Sequence, residues 1–518
     1  MFATLATAVV PIGFASVFVI WPLVAIGSRA FAAEGLGLQP FVEVWSSSRS
    51  RSIIGFTFVQ AAWSTIATFV VGVPAAWSVS RGWFGRSATR IATAAAFVLP
   101  TVVMGLAWRG LVDRGLPAIV LAHVSFNAAV VVQILGVAWA GLDPLPGEAA
   151  RTLGASPARV WRSVTAPRLA APAATAALLT FLFSFTSFGV VVVLGTGRQG
   201  TIETEIARAA RGLDFERAGA LAALQLLVVL CALSIAGRAG RVTSTDAPGA
   251  LRAHRRSWVA MVAAVPALGV VLIPIMSLVV RVLAPQGSLS MEGIEILTAN
   301  DLRIDGSPLD SIVTSLRMAA IAVSVAMVVG GLVIAGSVRG RADPQTRLRR
   351  VLEAVLMVPL GVSAVTLGYG YLITFDEAPL RLRDYWWIVP LAHAAVAMPF
   401  VVRVLAPARR ALDARVIEVA RTLGASGRVV TSTVTLPLLL PAIGVAFGFA
   451  AAISIGEFGA TSMLARQGSP TAPFAIGQLA GVPGERGRLA SDSLALLLAA
   501  MTLTIMACAQ RPTRRLSR

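Results

Sequence analysis

The sequence contains no lysine and few charged residues of any kind. All 44 basic residues are arginine, and charged residues make up 13% of the chain, whereas hydrophobic residues make up 56%. A nucleotide-binding P-loop needs a lysine that reaches the phosphates, so the chain has no ATPase site of that type. Average soluble domains have roughly 25% charged residues. The composition therefore excludes an ordinary soluble protein.

Cysteine and histidine are also scarce, with two and three residues respectively. Cys231 and Cys508 lie in separate apolar stretches and are too few for a disulfide framework or a metal cluster. His123 and His393 occupy equivalent positions of a repeat described below, but no third ligand accompanies them. Structural packing is therefore favoured over a shared metal site. We predict neither a metal site nor catalytic residues.

Long apolar runs dominate the remainder, and the mean hydropathy is +0.79. A membrane-spanning helix needs about 20 mostly apolar residues. Runs of this kind predict about 12 transmembrane helices, at residues 4–27, 53–79, 91–112, 117–140, 172–197, 218–237, 258–282, 311–337, 351–375, 385–405, 438–465 and 490–509. We expect an all-α integral protein of the cell (inner or plasma) membrane.

The arginines are unevenly distributed among the loops. With the N-terminus inside, 27 of the 44 fall in cytosolic segments. Short cytosolic loops carry an excess of arginine in membrane proteins, so we expect both termini in the cytosol. Because the arginines lie between membrane-spanning runs, we interpret the formal charge of +19 as that of a membrane protein. We expect the lipid bilayer to be a partner and expect no binding of nucleic acid.

An internal repeat divides the chain. Residues 142–156 read LDPLPGEAARTLGAS and residues 412–426 read LDARVIEVARTLGAS, with 10 identities at an offset of 270. The sequence therefore predicts two parallel six-helix repeats, with a pathway between two equivalent halves. We divide the chain into a first transmembrane domain at 1–237, a cytosolic linker at 238–257 and a second transmembrane domain at 258–518.

Each repeated loop is predicted to contain two short helices joined by a sharp turn. Glu148 and Glu418 are expected at helix N-termini, because a carboxylate is favoured there. Gly154 and Gly424 would end those helices, and a serine two residues later would cap the next one. Such a loop projects small residues and an apolar knob, Leu153. This shape suits docking into a groove of a partner protein.

At these residues the chain resembles the membrane-spanning permease of binding-protein-dependent ABC importers. The family signature is EAA, three residues and Gly, then nine residues leading to a hydrophobic residue, any residue and Leu-Pro. Ala166 and Val419 depart from the signature, but the acids, glycines and prolines are retained. The residues that match are Glu148, Ala149, Ala150, Gly154 and Pro167 in the first loop, and Glu418, Ala420, Gly424 and Pro437 in the second.

The resemblance implies the type I importer permease fold and a set of partners. The family uses this loop as a coupling helix that sits on the ATPase subunit. We therefore expect two copies of a cytosolic ABC ATPase and an extracytoplasmic solute-binding protein. The chain itself would need no cofactor, because ATP and Mg would be bound by the ATPase subunits.

The fifth helix of each half resembles that of the thiamine and ferric-iron permeases. The residues concerned are Ser187 and Phe188 in the first half and Glu457 and Phe458 in the second. A carboxylate in an apolar run is expensive and usually faces a cavity or a partner. Glu457 would attract a cationic cargo along the translocation pathway, or it would pair with a helix end for structure. The sequence favours thiamine over ferric iron and leaves other small solutes open.

Two other classes of function compete with this interpretation. An ion-coupled secondary transporter also has twelve helices in two repeated halves, but it needs titratable groups in its membrane core, where Glu457 is almost alone. A membrane enzyme would need a catalytic cluster at a membrane face, and none is recognisable.

Overall fold

The computed structural model describes residues 2–31, 37–81, 83, 85–197, 199–240, 258–335, 344–376, 380–465, 468 and 470–509. Within these ranges the regular structure is helical, and no strand occurs. Most of the predicted linker at 238–257 lies outside the described residues.

The helices of the first half follow one another through short connections. Their bounds are α1 (Phe2–Ala15), α2 (Trp21–Ala30), α3 (Gln39–Ser46), α4 (Ser48–Ser80), α5 (Arg86–Val98), α6 (Thr101–Arg109), α7 (Leu116–Ala140), α8 (Leu145–Thr152), α9 (Pro157–Val160), α10 (Ala166–Phe185), α11 (Gly189–Leu194), α12 (Ile202–Arg211) and α13 (Phe215–Gly240). Five-residue π-helical segments connect α1 to α2 (Ser16–Ile20) and α9 to α10 (Trp161–Thr165).

The second half repeats this order. Its helices are α14 (Trp258–Leu283), α15 (Glu292–Glu295), α16 (Pro308–Ala335), α17 (Pro344–Met357), α18 (Ala364–Thr374), α19 (Ile388–Arg410), α20 (Ala414–Thr422), α21 (Gly427–Val430), α22 (Leu436–Ile455), α23 (Gly459–Leu464), α24 (Ala472–Ala480) and α25 (Glu485–Ala509). A π-helical segment, Thr431–Thr435, connects α21 to α22. Short 3₁₀ segments occupy Ile296–Thr298, Val358–Leu360 and Leu382–Asp384.

The described helices include 10 that are long and apolar enough to cross a membrane, and up to 12 if two bent pairs each count as one span. The prediction of about 12 transmembrane helices is therefore confirmed. The bent pairs are the third predicted span of each half, Arg86–Val98 with Thr101–Arg109 (104°) and Val351–Leu360 with Ala364–Thr374 (107°).

Proline explains the bend of the third span in the first half, and a serine cap marks the bend in the second. In the first half Leu99 is extended, with ψ 139°, immediately before Pro100. A residue that precedes proline is disfavoured in the helical conformation. In the second half Pro359 lies in the 3₁₀ segment, and Ser363 then caps α18 by accepting a hydrogen bond from the Thr366 N–H at 2.9 Å.

The described residues form two compact units, and each unit combines segments from both halves of the sequence. Unit 1 comprises residues 1–41, 206–222 and 291–518, and unit 2 comprises residues 42–205 and 223–290. The division of the sequence at 237 and 258 concerns the repeat rather than these units, and it stays a prediction.

In unit 2, α14 packs against α4 and α5, although it belongs to the second half by sequence. Hydrogen bonds to backbone carbonyls fix its position. The Ser78 hydroxyl donates to the carbonyl of Ala260 at 2.6 Å, and the Ser125 hydroxyl donates to that of Val270 at 2.8 Å. Buried hydroxyls of this kind avoid the cost of an unpaired polar group in an apolar interior.

In unit 1, α2 packs against α18, although it belongs to the first half. The hydroxyl of Tyr371 donates to the carbonyl of Phe18 at 2.7 Å, and its ring meets Phe375 edge-on at 5.3 Å. A Cβ on Gly370 would lie 3.0 Å from the carbonyl oxygen of Pro22. The absence of a side chain at Gly370 therefore allows these two helices to approach each other closely.

Candidate functional site

The first repeated loop forms a tight turn between α8 and α9. The N–H of Gly154 donates to the carbonyl of Arg151 at 2.9 Å, and that of Ala155 donates to the carbonyl of Ala150 at 3.0 Å. This pair of bonds is the Schellman motif, in which the residue after the helix adopts a positive φ. Gly154 has φ +81°.

The second loop repeats this geometry bond for bond. Gly424 N–H donates to the carbonyl of Arg421 at 2.9 Å, and Ala425 N–H to that of Ala420 at 3.1 Å. Gly424 has φ +85°. The predicted sharp turn is thus present in both halves. We call these two segments, residues 145–160 and 414–430, the first and second coupling turns.

Two predictions about the turns need correction. Glu418 does not start a helix, because it is the fifth residue of α20, whose N-cap is Asp413. Asp413 Oδ1 accepts the Arg415 N–H at 2.9 Å, and Asp143 Oδ1 accepts the Leu145 N–H at 3.0 Å in the first half. The sequence held this signal, since both aspartates follow leucine in the repeated motif. Glu148 does lie in the first turn of α8.

The second correction concerns the helix that follows each turn. It is not a separate short helix, because α9 continues through the π-helical segment into α10 as one span of 29 residues, Pro157–Phe185. The same holds for Gly427–Ile455. Each turn is therefore attached directly to a membrane-spanning helix, which suits transmission of movement along that helix.

The turns present an apolar tip. The side chain of Leu153 is 88% exposed and that of Leu423 is 83% exposed. Among the other residues of the family signature, the exposed ones are Glu148, Ala149, Gly154, Pro167, Glu418, Gly424 and Pro437, whereas Ala150 and Ala420 are half-buried. Both turns therefore expose a leucine at the same position of the repeat.

One arginine at the end of α4 lies near the first coupling turn. Arg81 follows α4 and lies 5.1 Å above the ring of Trp77. Its burial and the nearby charge of Arg151 lower the pKa of Arg81. The first coupling turn therefore lies close to the end of α4.

The fifth span of each half is broken at the residues predicted for the pathway. Helix α10 ends at Phe185 and α11 begins at Gly189, whereas α22 ends at Ile455 and α23 begins at Gly459. Ser187 and Phe188 lie in the first break, residues 186–188. Glu457 and Phe458 lie in the second break, residues 456–458. Their side chains are all buried.

Close packing against the bent third span accompanies each break. Helix α11 packs on α6, and α23 packs on α18. A Cβ on Gly189 would overlap the hydroxyl of Thr101, and one on Gly459 would lie 3.0 Å from the backbone nitrogen of Val365. The glycine that follows each phenylalanine thus lets the short helix approach its neighbour.

Glu457 acts as a helix cap in this structure. Its side chain is 8% exposed, and Oε1 accepts the N–H of Ala460 at 2.9 Å. This contact matches the structural alternative that the sequence left open. Ser187, at the repeat-equivalent position, has a buried hydroxyl with no hydrogen-bond partner in the part of the chain that the structure describes.

The two histidines contact hydroxyl groups. His123 Nδ1 lies 2.9 Å from Ser64 Oγ, and His393 lies between Ser454 and Thr461, at 3.1 Å and 2.8 Å. No group of three or more His, Cys, Asp or Glu residues that could hold a metal ion occurs among the described residues.

Comparison with known proteins agrees with this geometry. The family described as "Binding-protein-dependent transport system inner membrane component" matches residues 68–241 and 326–518, so its domain is present twice. The thiamine transport system permease protein of Escherichia coli (strain K12) is 27% identical, over 93% of this chain and 94% of its own length.

Two further relatives cover less of the chain. The thiamine transport system permease protein of Brucella abortus (strain 2308) is 26% identical over 77% of this chain and 72% of its own length. A putative 2-aminoethylphosphonate transport system permease protein of Salmonella typhimurium (strain LT2) is 33% identical over 33% of this chain and 63% of its own length. The chain belongs to the inner membrane components of binding-protein-dependent transport systems, as a fused two-repeat ABC importer permease.

Proposed function

We propose that this permease imports thiamine, delivered by an extracytoplasmic solute-binding protein and driven by two cytosolic ABC ATPase subunits that seat on the two coupling turns. The observation that carries the proposal is the identical hydrogen bonding of the two turns, at 2.9 Å for both glycines. Duplicated geometry of this precision supports two equivalent docking contacts.

The exposed leucines support a contact with protein rather than with water. Burial of one leucine side chain contributes about 1.5–3 kcal/mol. Leu153 and Leu423 would each contribute on this scale on entering a groove of the ATPase. The proposed ATPase-coupling residues are Glu148, Ala149, Ala150, Gly154, Glu418, Ala420 and Gly424 in the two turns, with Pro167 and Pro437 in the helices that follow them.

The energy source would lie outside the chain. The sequence contains no lysine, and a P-loop depends on one. ATP and Mg would therefore be bound by the partner subunits, and this chain would need no cofactor and no metal.

The cargo would pass beside the two breaks, and the pathway residues would be Ser187 and Phe188 at the first break and Glu457 and Phe458 at the second. Thiamine is a cation, and a buried carboxylate favours a cation over a neutral or anionic solute. The thiamine permeases that align with this chain over most of its length support the same cargo. Ferric iron carried by the same machinery is the alternative. Membership of the importer family removes the ion-coupled secondary transporter.

Uptake by the reconstituted complex tests the cargo. The chain, its ATPase and its binding protein are placed in liposomes, and ATP-dependent uptake of radiolabelled thiamine is compared with uptake of ferric iron. We expect thiamine uptake, and we expect unlabelled thiamine to compete. Uptake of ferric iron without thiamine uptake would replace the proposed cargo by the alternative.

Cytosolic termini are part of the proposal and have their own test. In a chain whose exposed Cys231 and Cys508 are changed to serine, a cysteine is placed at Arg86 or at Ser288. An impermeant thiol reagent applied to intact cells should label Ser288→Cys and spare Arg86→Cys, because arginine-rich loops stay inside. The reverse pattern would overturn the orientation and the coupling turns with it.

A further inference from the structure

The two breaks in the fifth spans are held by different contacts. In the second half His393, on α19, reaches both sides of the break. Its Nδ1 lies 3.1 Å from Ser454 Oγ, in the last turn of α22, and its Nε2 lies 2.8 Å from Thr461 Oγ1, in α23. One imidazole ring therefore bridges the two helices that the break separates.

The bridge is part of one hydrogen-bonded network. The hydroxyl of Thr461 donates to the carbonyl of Glu457 at 3.0 Å, and its oxygen also contacts His393 Nε2. In the tautomer that carries its proton on Nε2, Nδ1 accepts from the hydroxyl of Ser454. Ala460 N–H adds a fourth bond, to the Glu457 carboxylate. The network fixes both the backbone and the side chain of Glu457.

No hydrogen-bonded histidine bridge of this kind occurs among the described residues of the first half. Val191 occupies the position equivalent to Thr461, and His123 contacts Ser64 on α4 instead of the break. Asn127 and Gln60 donate to the hydroxyl and carbonyl of Ser184, at 3.0 Å and 2.8 Å. Ser184 belongs to α10, so these two bonds hold only one side of the break.

The residues that make these contacts differ between the two halves at equivalent positions of the repeat. At the offset of 259 that relates Ser52-Ile53 to Ser311-Ile312, Gln60 corresponds to Ala319, and at the offset of 270 Asn127 corresponds to Ala397. The second half has therefore lost the two amides and carries Thr461 in place of a valine. Each half has one set of contacts or the other.

The first break also leaves buried polar atoms unpaired. Gln60 Oε1, Asn127 Oδ1 and Ser187 Oγ have no hydrogen-bond partner among the described residues. An unpaired buried polar atom costs about 1–3 kcal/mol. A rearrangement that pairs these atoms would recover part of this cost. The first break therefore has polar groups that a rearrangement could pair, and it has no bond corresponding to the one between His393 and Thr461.

We propose that His393 is a positioning residue that holds the second break fixed, and that the first break is the one that rearranges during transport. His393 acts through Ser454 and Thr461, and so keeps Glu457 in place while cargo passes. The transport part of this inference rests on the proposed function, whereas the difference in stability between the breaks does not.

Hydrogen exchange of the full chain in lipid nanodiscs tests the difference in stability. Exchange requires opening of the local structure, so a bridged segment exchanges more slowly. We expect peptides covering 454–462 to exchange at least tenfold more slowly than peptides covering 184–192. Thr461→Val removes the bridge with little change in shape and should bring the two rates together.

A matched control separates the bridge from loss of a buried hydroxyl in general. Thr502 is also fully buried, and its hydroxyl bonds only to the carbonyl of Leu498 within its own helix. Thr502→Val should leave exchange at 454–462 unchanged. Equal exchange of the two breaks in the unmodified chain, or an equal effect of both variants, would overturn the inference.

Transport supplies the second readout. In the reconstituted complex Thr461→Val should keep binding-protein-stimulated ATP hydrolysis within twofold and lower the solute moved per ATP several-fold, because Glu457 is no longer held. An unchanged ratio despite faster exchange would contradict the positioning role. If the unmodified complex transports a solute other than thiamine, the ratio is measured with that solute. If it transports none, the proposed function fails while the exchange result stands.

Discussion

Substitution of the turn glycine should uncouple one ATPase subunit without a steric clash. Gly424 has φ +85°, and a Cβ added there would meet no atom within 4 Å. The cost of Gly424→Val is therefore conformational, because an L-residue in the left-handed region costs roughly 1–2 kcal/mol and a β-branched residue is a clear outlier there. The turn should adopt its present form about 5–30-fold less often.

Gly427 offers a control three residues away in the same loop. It is the first residue of α21, has no positive φ, and has equally open surroundings. Gly427→Val should leave the turn intact. Gly424→Asn should restore part of the function, since asparagine tolerates the left-handed region.

The assay is ATP hydrolysis by the reconstituted complex with and without the loaded binding protein. We expect stimulation to fall roughly five- to thirtyfold in Gly424→Val, to stay near normal in Gly427→Val, and to be intermediate in Gly424→Asn. Equal stimulation in the variants at 424 and 427 would refute the argument that the Schellman turn positions the ATPase.

Three other variants probe the tip, the pathway and the packing of the breaks. Leu153→Ser should reduce copurification of the ATPase about tenfold, from about 1.5 kcal/mol or more of lost burial. Leu289→Ser should not, although Leu289, in the loop after α14, is equally exposed at 88%. Glu457→Gln retains an oxygen for the Ala460 N–H, so uptake of a cationic cargo should fall on the order of tenfold with unchanged thermal stability; normal uptake would make Glu457 a structural acid only. Gly368→Ala places a Cβ 2.9 Å from the backbone of Ala460 and should destabilise the chain by about 1–3 kcal/mol, measured as a lower midpoint of thermal unfolding, whereas Gly331→Ala, with open space around it, should not.

The apolar runs and the repeat predicted most of the fold. A run of about 20 apolar residues predicts a spanning helix well. The membrane thickness sets the length of the span, and the apolar lipid requires the backbone groups to bond to one another within a helix. The bends near Pro100 and Pro359 lie inside such runs. They could not be predicted from hydropathy, because hydropathy does not show where a helix changes direction. Helix α2 belongs to the first half but packs in unit 1, and α14 belongs to the second half but packs in unit 2. This packing depends on contacts between distant segments, which no local sequence pattern encodes.

The coupling turns were predictable because Gly154 and Gly424 carry a local backbone requirement. The cap residue Asp413 was not predicted, because the expected helix starts, Glu148 and Glu418, lie three and four residues after Leu145 and Ala414, where α8 and α20 begin. The bridge made by His393 could not be predicted, since it joins three helices and one of its partners, Thr461, has no counterpart in the other half.

The central claim is that each coupling turn seats on one ATPase subunit. In a chain whose Cys231 and Cys508 are changed to serine, cysteines at Leu153 and Leu423 can be crosslinked to a single cysteine in the ATPase groove during turnover. The account predicts a crosslink from each position alone, and one chain joined to two ATPase subunits when both cysteines are present. Efficient hydrolysis by a complex in which neither position crosslinks, while a cysteine at Leu289 does, would contradict it.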